Sequence, residues 1–402
     1  MSPRIPHLLL AVVVLVAACS GEAEPTTTTN PTTSTSTSTS STTTTLPPTT
    51  TTTTVPFSVE GATDELAAVV EAFYRYAAGE TTDAPPAPEV VIEGISPVGD
   101  LDTPRQGTAS MGAFKEQGVA VVEMGSDLFL SVDDGQGWRI VGGEWPSLSI
   151  PAYYGPTTRH VAVVGSDARP GETVEATRAD SIHFVGLGAS GNAAVVGLPR
   201  DSYVPVPGFG RGKITNSLAL GGPDAMMAAF RDLTGLPLEG YVLTGFRGFQ
   251  NLINEVLGAV SVKVPYSISD RWAKAYLDAG RQDLDGAEAL GFARARKTVP
   301  GGDFTRSEHQ GLIMISAVAV VQQLGMSAIP QLMEKAEPHL VTDLSVEQLL
   351  TFAARTMSVD IGAIDNVVAP GSPGWAGSAS VVYLSSSVDQ LWADLENGYL
   401  SD

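Results

Sequence analysis

The chain holds one cysteine, Cys19, in 402 residues. That excludes a disulfide framework and a cysteine-built zinc site. Positive charge is also scarce: 23 Lys and Arg stand against 44 Asp and Glu, for a formal net charge of −21. A chain of that sign argues against a nucleic-acid partner, which needs a basic footprint. It argues equally against electrostatic adhesion to anionic lipid. Charged residues make up only 17% of the chain and hydrophobic ones 43%, so a sizeable core is available. The length accommodates two domains. The apolar run at residues 8–18 falls short of the roughly 20 residues a membrane span needs.

What is there begins with that run. "MSPRIPHLLLAVVVLVAACS" opens weakly basic at Arg4 and ends Val16-Ala17-Ala18-Cys19. It has the pattern of an export signal. Its end resembles the bacterial lipoprotein signal, in which cleavage precedes the cysteine and its thiol takes lipid. A plain secretory signal and an uncleaved anchor are the alternatives. All three put the bulk of the chain outside the cytoplasm. Residues 1–18 are therefore expected to be a signal peptide. Residues 19–56 are expected to be a Thr/Ser/Pro-rich extended stalk, uncharged from residue 25 on.

Residues 57–151 are expected to form a small α+β accessory domain, a spacer or interaction module. "ELAAVVEAFYRYAAG" reads as an amphipathic helix ended by Gly79. "EVVIEGI", "GVAVVEM", "DLFLSVDD" and "GWRIVGG" read as short strands. Asp133 and Asp134 read as a solvated hairpin turn, and no convergent polar cluster is evident in this stretch.

Residues 152–402 form the main body. Apolar strands over 161–164, 181–187 and 193–198 each meet charge at one end. The first runs into Asp167 and Arg169, the second starts after Arg178 and Asp180, and the third delivers Arg200 and Asp201. The tight turn "GASGN" makes the second and third antiparallel. If the first is antiparallel to the second, the three polar groups meet at one rim. Arginine forks suit phosphate. The carboxylates would hold those arginines, or two of them would bind Mg²⁺ beside phosphate oxygens. A purely structural salt-bridge network is the alternative.

Strand and helix alternation continues, as in layered α/β bodies. Residues 287–296 read as a helix bearing Arg294 and Arg296, which share no face unless it ends between them. A longer helix starts at Phe304 with Asp303 as its cap. Arg306 and Gln310 share one of its faces. His309 is open between a partly exposed surface residue and a ligand. Ile313, Ile315, Val318, Val320 and Val321 make the rest apolar, for a core or for a greasy cavity beside an arginine-rich mouth.

Together these stretches resemble the LytR-CpsA-Psr family of cell-wall glycopolymer transferases. The resemblance is carried by "GSDAR" at 165–169, "RADS" at 178–181 and "PRDSYV" at 199–204, then Lys213, Gly221-Gly222, "LDGAEAL" through "ARAR", Asp303, Arg306 and Gln310. It implies a three-layer α/β/α domain with a central mixed sheet and an apolar cavity. It implies transfer of a glycopolymer from a polyprenyl pyrophosphate carrier to a peptidoglycan hydroxyl through a phosphodiester. By resemblance Arg178, Arg200, Arg294 and Arg296 hold the pyrophosphate and Asp201 orients arginines. Arg169, Lys213, Arg306 and Gln310 complete the binding site, and Asp167 and Asp180 carry Mg²⁺. The membrane would be reached through lipidated Cys19. Arginine outnumbers lysine, which makes an actinobacterial arabinogalactan a first guess for the polymer. The chain departs from the family pattern at His309 (usually Arg), Thr215 (usually Asn), Leu218 (often Tyr) and Ala259 (usually Gly). The alternatives are a noncatalytic lipid-pyrophosphate or wall binder and a lipid-linked pyrophosphatase.

Overall fold

The computed structural model describes residues 57–97, 99, 105–169 and 171–400, so the expected signal and stalk lie outside the described residues. The chain first builds a six-stranded sheet ordered β1-β2-β3-β4-β5-β6. Its strands are β1 (Phe57–Glu60), β2 (Arg105–Phe114), β3 (Gln117–Met124), β4 (Asp127–Asp133), β5 (Trp138–Trp145) and β6 (Ile150–Tyr153). β1 pairs parallel with β2 and the rest are antiparallel.

Helix α1 (Asp64–Ala78) covers one face. Thr63 starts it by accepting the Leu66 N–H at 3.2 Å, and Gly79 closes it in the left-handed region at φ 77°. Ala120 and Val122 pack with Leu66, Val70 and Phe73 of α1, while Val119 and Val121 belong to the core that includes Leu332 and Phe352 of the main body. Both faces are covered, which is why "GVAVVEM" is apolar almost throughout. Lys115 Nζ also donates to the carbonyls of Thr342 and Leu344, at 2.8 and 3.2 Å. The unit read as a spacer or interaction module thus shares a core with the body.

"EVVIEGI", expected as a strand, is instead helix α2 (Glu89–Glu93), started by Pro88 and ended at Gly94. Only Val91 is fully buried there. So short an apolar run carries no decisive period. Asp133 and Asp134 do form the expected turn, accepting the backbone N–H groups of Gly135, Gly137 and Gln136.

The main sheet is mixed, in the order β17-β12-β7-β8-β9-β18. β7 (Arg159–Ser166), β8 (Ala179–Leu187) and β9 (Ala193–Gly197) are successively antiparallel; the turn chemistry predicts the β8–β9 pairing, and the β7–β8 pairing meets the condition left open in the sequence. Parallel neighbours flank them: β12 (Gly240–Thr244) on β7 and β18 (Ile364–Val368) on β9. β17 (Val341–Thr342) closes one edge antiparallel to β12. Alternate residues serve two layers. Ala162, Val164, Phe184 and Val196 face α3 (Asn216–Thr234) and α9 (Val388–Leu395). Val161, Val163 and Val195 face the layer of α4 (Phe246–Asn251), α5 (Gly286–Arg294), α6 (Asp303–Leu324), α7 (Ile329–Ala336) and α8 (Val346–Thr356).

Four two-stranded antiparallel pairings decorate this frame: β10 (Tyr203–Val206) with β11 (Gly210–Lys213), β13 (Val260–Val264) with β16 (Gly280–Leu284), β14 (Ile268–Asp270) with β15 (Ala275–Leu277), and β19 (Gly371–Ala376) with β20 (Ala379–Leu384). Among the described residues no single helix is long and apolar enough to cross a membrane.

Candidate functional site: a cationic cleft

Glycine brings the site's two halves together. A Cβ on Gly197, at the end of β9, would collide with Ser307 of α6, and one on Gly311 would collide with Asn366 of β18. The missing side chains let α6 lie close on the sheet, with its first turn against the strand ends. The strand ends are laced by backbone bonds: Asp167 N–H to the Arg178 carbonyl at 3.0 Å, Ala179 N–H to Thr215 at 3.0 Å, and Thr215 N–H to Arg200 at 3.1 Å. The rim expected from the turn chemistry is therefore present.

At that rim Arg200 pairs with Asp180. Asp303 then gathers three guanidinium groups. Its two oxygens take Arg296 Nη1 and Arg306 Nη2, each at 3.2 Å, and Arg200 Nε lies 4.0 Å away. Asp303 does not cap α6; Gly302 occupies that position and no side chain caps it. The carboxylate serves the arginines instead. Burial would lower the pKa of Arg200, but Asp180 and Asp303 outweigh it and raise the value. Arg306 is shifted down, first by burial and then by the charges of Arg200 and Arg296, against the pull of Asp303. Both stay charged, since guanidinium does not lose its proton in proteins.

Helix α5 stops at Arg294 because Ala295 turns extended, at φ −61° and ψ 121°. That break is what lets Arg294 and Arg296 serve one place. Arg294 lies over the Phe246 ring at 5.3 Å. The result is a cleft of about 240 Å³ lined by five cations, Arg200, Arg294, Arg296, Lys297 and Arg306, against the carboxylates of Asp180 and Asp270.

The remaining expected residues are placed differently. Gln310 lines the cleft but is spent on structure: it donates to the Ala293 carbonyl and accepts from Ser181 Oγ, both at 3.0 Å. Arg178 is outside the lining, and Asp167 binds its backbone N–H and its guanidinium at 2.7–3.0 Å. Asp201 pairs with Lys213 at 2.9 Å, also outside the lining. Arg169 is exposed, and its backbone N–H bonds Glu172.

His309 is neither surface residue nor cleft ligand. It is 1% exposed and stacks on Phe292 at 4.1 Å, and burial lowers its pKa to about 4. His183, deep beneath the rim, is likewise pushed to about 4 by burial. Both are neutral at physiological pH.

Five lining residues escaped the sequence reading: Phe246, Asp270, Trp272, Ala273 and Lys297. Asp270 is buried and binds four backbone N–H groups: Trp272 and Ala273 on one oxygen, Arg296 and Lys297 on the other, at 2.9–3.2 Å. Burial alone would raise its pKa, but those N–H groups outweigh it and lower it. It thereby ties the β14–β15 turn to the segment bearing two cleft cations. Trp272 stands at the mouth, with Lys297 Nζ 4.2 Å from its ring. Lys297 was in plain sight as the residue after "ARAR". Asp270 and Trp272 join it only through tertiary pairing.

One turn beyond Gln310, α6 meets a second, apolar slot. Met314, Ile315 and Val318 face Val185, Leu187 and Val195 of the sheet across about 30 Å³. One helix thus borders both a cationic mouth and a greasy seam.

The LytR_cpsA_psr family model matches residues 151–397. The probable cell wall biosynthesis protein LcpB of Corynebacterium glutamicum is 34% identical over 151 residues, 35% of this chain and 36% of that protein. The polyisoprenyl-teichoic acid–peptidoglycan teichoic acid transferase TagT of Bacillus subtilis is 33% identical over 178 residues, 42% of this chain and 54% of that protein. The matched segments span about a third to about half of these relatives' lengths. Among solved structures, Bacillus subtilis TagV superposes with a TM-score of 0.53 at 24% identity, covering 61% of this chain and 99% of that one. TagT bound to LI-WTA gives 0.51 at 21% identity, covering 62% and 94%. These two likenesses establish a shared fold.

Proposed function

The chain belongs to the LytR-CpsA-Psr family, and from that premise we propose that it transfers a glycopolymer from a polyprenyl pyrophosphate to a hydroxyl of peptidoglycan. The carrying observation is the cleft in which five cations converge from the turn after β9, the end of α5 and the segment that follows it, and the start of α6. Two adjacent phosphates are the ligand such a surplus suits, because each guanidinium fork pairs with two oxygens. The seam beside α6 supports the lipid end of the reading. At about 30 Å³ it is room for little more than one water, so a polyprenyl chain would enter by opening α6 from the sheet.

In the reaction the acceptor oxygen bonds to the phosphorus nearest the sugar. The bond from that phosphorus to the bridging oxygen breaks, and polyprenyl phosphate leaves with the electron pair. The hydroxyl proton passes to water or to a lining carboxylate. Arg200, Arg294, Arg296 and Lys297 offset charge on the phosphate oxygens, and Asp303 keeps three of the guanidinium groups apart and aimed. Positioning and electrostatics are most of what phosphoryl transfer asks of a protein.

Asp180 fits Mg²⁺: its Oδ1 is buried without a hydrogen-bond partner at the cleft wall. Asp167 fits less directly, since both oxygens are engaged by Arg178. Bound there, the ion would supply further charge compensation to the phosphates. Among the described residues no group of three acidic, His or Cys side chains gathers as a metal site.

The same reading takes residues 1–18 as an export signal, Cys19 as a lipid-bearing anchor and residues 19–56 as a tether. The body at 152–402, with its accessory unit at 57–151, then works at the outer face of the membrane beside the wall. His309, at a position where the family usually has Arg, stacks on Phe292 and lies outside the cleft lining. The test supplies lipid-pyrophosphate glycan, a peptidoglycan acceptor and Mg²⁺ to the full chain. Polyprenyl phosphate should appear together with wall-linked glycan. Free phosphorylated glycan would instead indicate a pyrophosphatase, and binding without release a carrier.

A further inference from the structure

The β14–β15 hairpin buries one face and bares the other. Ile268, Asp270, Ala275 and Leu277 point inward, while the cross-strand pair Ser269 and Tyr276 points out. At its turn Trp272 is 51% exposed, and Tyr276 beside it is 66% exposed. Arg271 lies over the Trp272 ring at 4.4 Å, and Lys297 at 4.2 Å. Exposed Lys274 completes the turn in the left-handed region at φ 56°, a conformation uncommon for lysine.

The charge here differs from the rest of the chain. Residues 263–297 hold Lys263, Arg271, Lys274, Arg281, Arg294, Arg296 and Lys297 against five acids, whereas the whole chain has 44 acids to 23 bases. One of those acids, Asp270, is buried and spent on backbone N–H groups. An exposed Trp and Tyr bracketed by basic residues is the composition that settles at a bilayer interface.

We propose that the β14–β15 hairpin is a docking edge that seats the cleft mouth on anionic lipid headgroups. The inference rests on the proposed lipid-linked donor, whose pyrophosphate lies at the headgroup level and must enter the cleft that Trp272 borders. The chain's net negative charge argues against adhesion of the chain as a whole but acts weakly at this hairpin, because repulsion from charges farther off than about 10 Å is screened at 0.1 M salt. Trp272 and Tyr276 enter the interface, and Arg271 and Lys274 meet the phosphates.

The test uses the full chain in vesicles of phosphatidylglycerol and phosphatidylcholine carrying brominated acyl chains. Trp272→Phe identifies the Trp272 part of the tryptophan quenching. That part should be strong with phosphatidylglycerol, weak with phosphatidylcholine alone, and reversed by salt. Lys274→Glu with Tyr276→Ser should abolish it, each basic residue removed weakening lipid contact by roughly fivefold. Neither residue lines the cleft, so binding of inorganic pyrophosphate should persist in the double variant and report an intact fold. Quenching unchanged by the double variant, or equal on neutral lipid, overturns the proposal. So does a shift of Trp272 emission by soluble glycan strands in place of vesicles, which would make the hairpin an acceptor site. Quenching without any pyrophosphate binding in the parent chain would refute the proposed function and leave the docking edge standing.

Discussion

Two of the places where arginine meets aspartate, one in the first sheet and one at the main rim, are built to opposite ends. In the first sheet Asp127 is buried, and its oxygens are taken by the Ser147 N–H at 2.9 Å, the Tyr74 hydroxyl at 2.7 Å and Arg105 at 3.4 Å. One acid faces one base, Arg105 lies over the Tyr74 ring at 3.9 Å, and the hydroxyl's pKa is raised by burial and then by Asp127. At the main rim five cations face a cleft; each cluster keeps a buried polar atom without a partner, Arg105 Nε in the first and Asp180 Oδ1 in the second, so the surplus of charge and the opening are what separate them. A charge cluster that exists for the fold neutralises itself within its own side chains. One that exists for a ligand leaves a surplus of one sign and an opening. The sequence reading saw no polar cluster in the first sheet, because Tyr74, Arg105, Asp127 and Ser147 are far apart in the chain and none stands out alone.

The contrast predicts which substitution costs activity and which costs stability. The largest effect is expected at Arg200. Arg200→Ala should cut polyprenyl phosphate release by roughly 10²–10³-fold, the usual loss for one preorganised charge-stabilising group. Release within twofold of the parent would erase the distinction between the two clusters. Asp127→Ala should instead lower unfolding stability by about 3 kcal/mol, because it leaves Arg105, only 16% exposed, and the buried Tyr74 hydroxyl without their acceptor. Denaturant unfolding measures this, with activity per folded molecule unchanged. Reduced activity of the folded variant would show the first sheet to be part of the site.

Asp270→Ala sharpens the comparison, since Asp270 is sealed like Asp127 yet sits in the cleft wall. It should weaken pyrophosphate binding by about tenfold through the freed N–H groups of Arg296 and Lys297. Asp270→Asn, which keeps an acceptor oxygen, should recover part of that loss. The smallest effect concerns the buried histidines. Folding holds His309 near pKa 4, down from 6.5, so the unfolded chain binds the extra proton between those values. Stability is complete above pH 6.5 and falls as the pH drops toward 4. His309→Gln should make that fall shallower in pH-dependent melting without changing pyrophosphate affinity at pH 7.

How much was legible follows the range of the interactions. The convergence of Asp167, Arg178, Asp180 and Arg200 followed from two antiparallel pairings and one tight turn, all within a short stretch of chain. That Arg294 and Arg296 reach the same rim came from the resemblance, since no local pattern links residue 200 to residue 296. The apolar runs of β7 to β9 were readable as strands, whereas their cover by helices on both faces was implied by the resemblance. The residues 89–93 were misread because five apolar and acidic residues serve a helix turn as well as a strand. Asp303 looked like a helix cap by position, and three arginines claim it only in three dimensions. His309 looked half-exposed because the face of α6 that it shares with Tyr266 and Phe292 is set by packing from β13 and α5.

The measurement that bears most directly on the cleft is calorimetric titration of the full chain with a soluble short-chain prenyl pyrophosphate and with the matching monophosphate. A surplus of cations arranged for two phosphates predicts that the pyrophosphate binds at least about tenfold more tightly, a difference of roughly 1.4 kcal/mol, and that Arg200→Ala abolishes the preference. Equal binding of the two ligands, or a preference indifferent to Arg200, would contradict it.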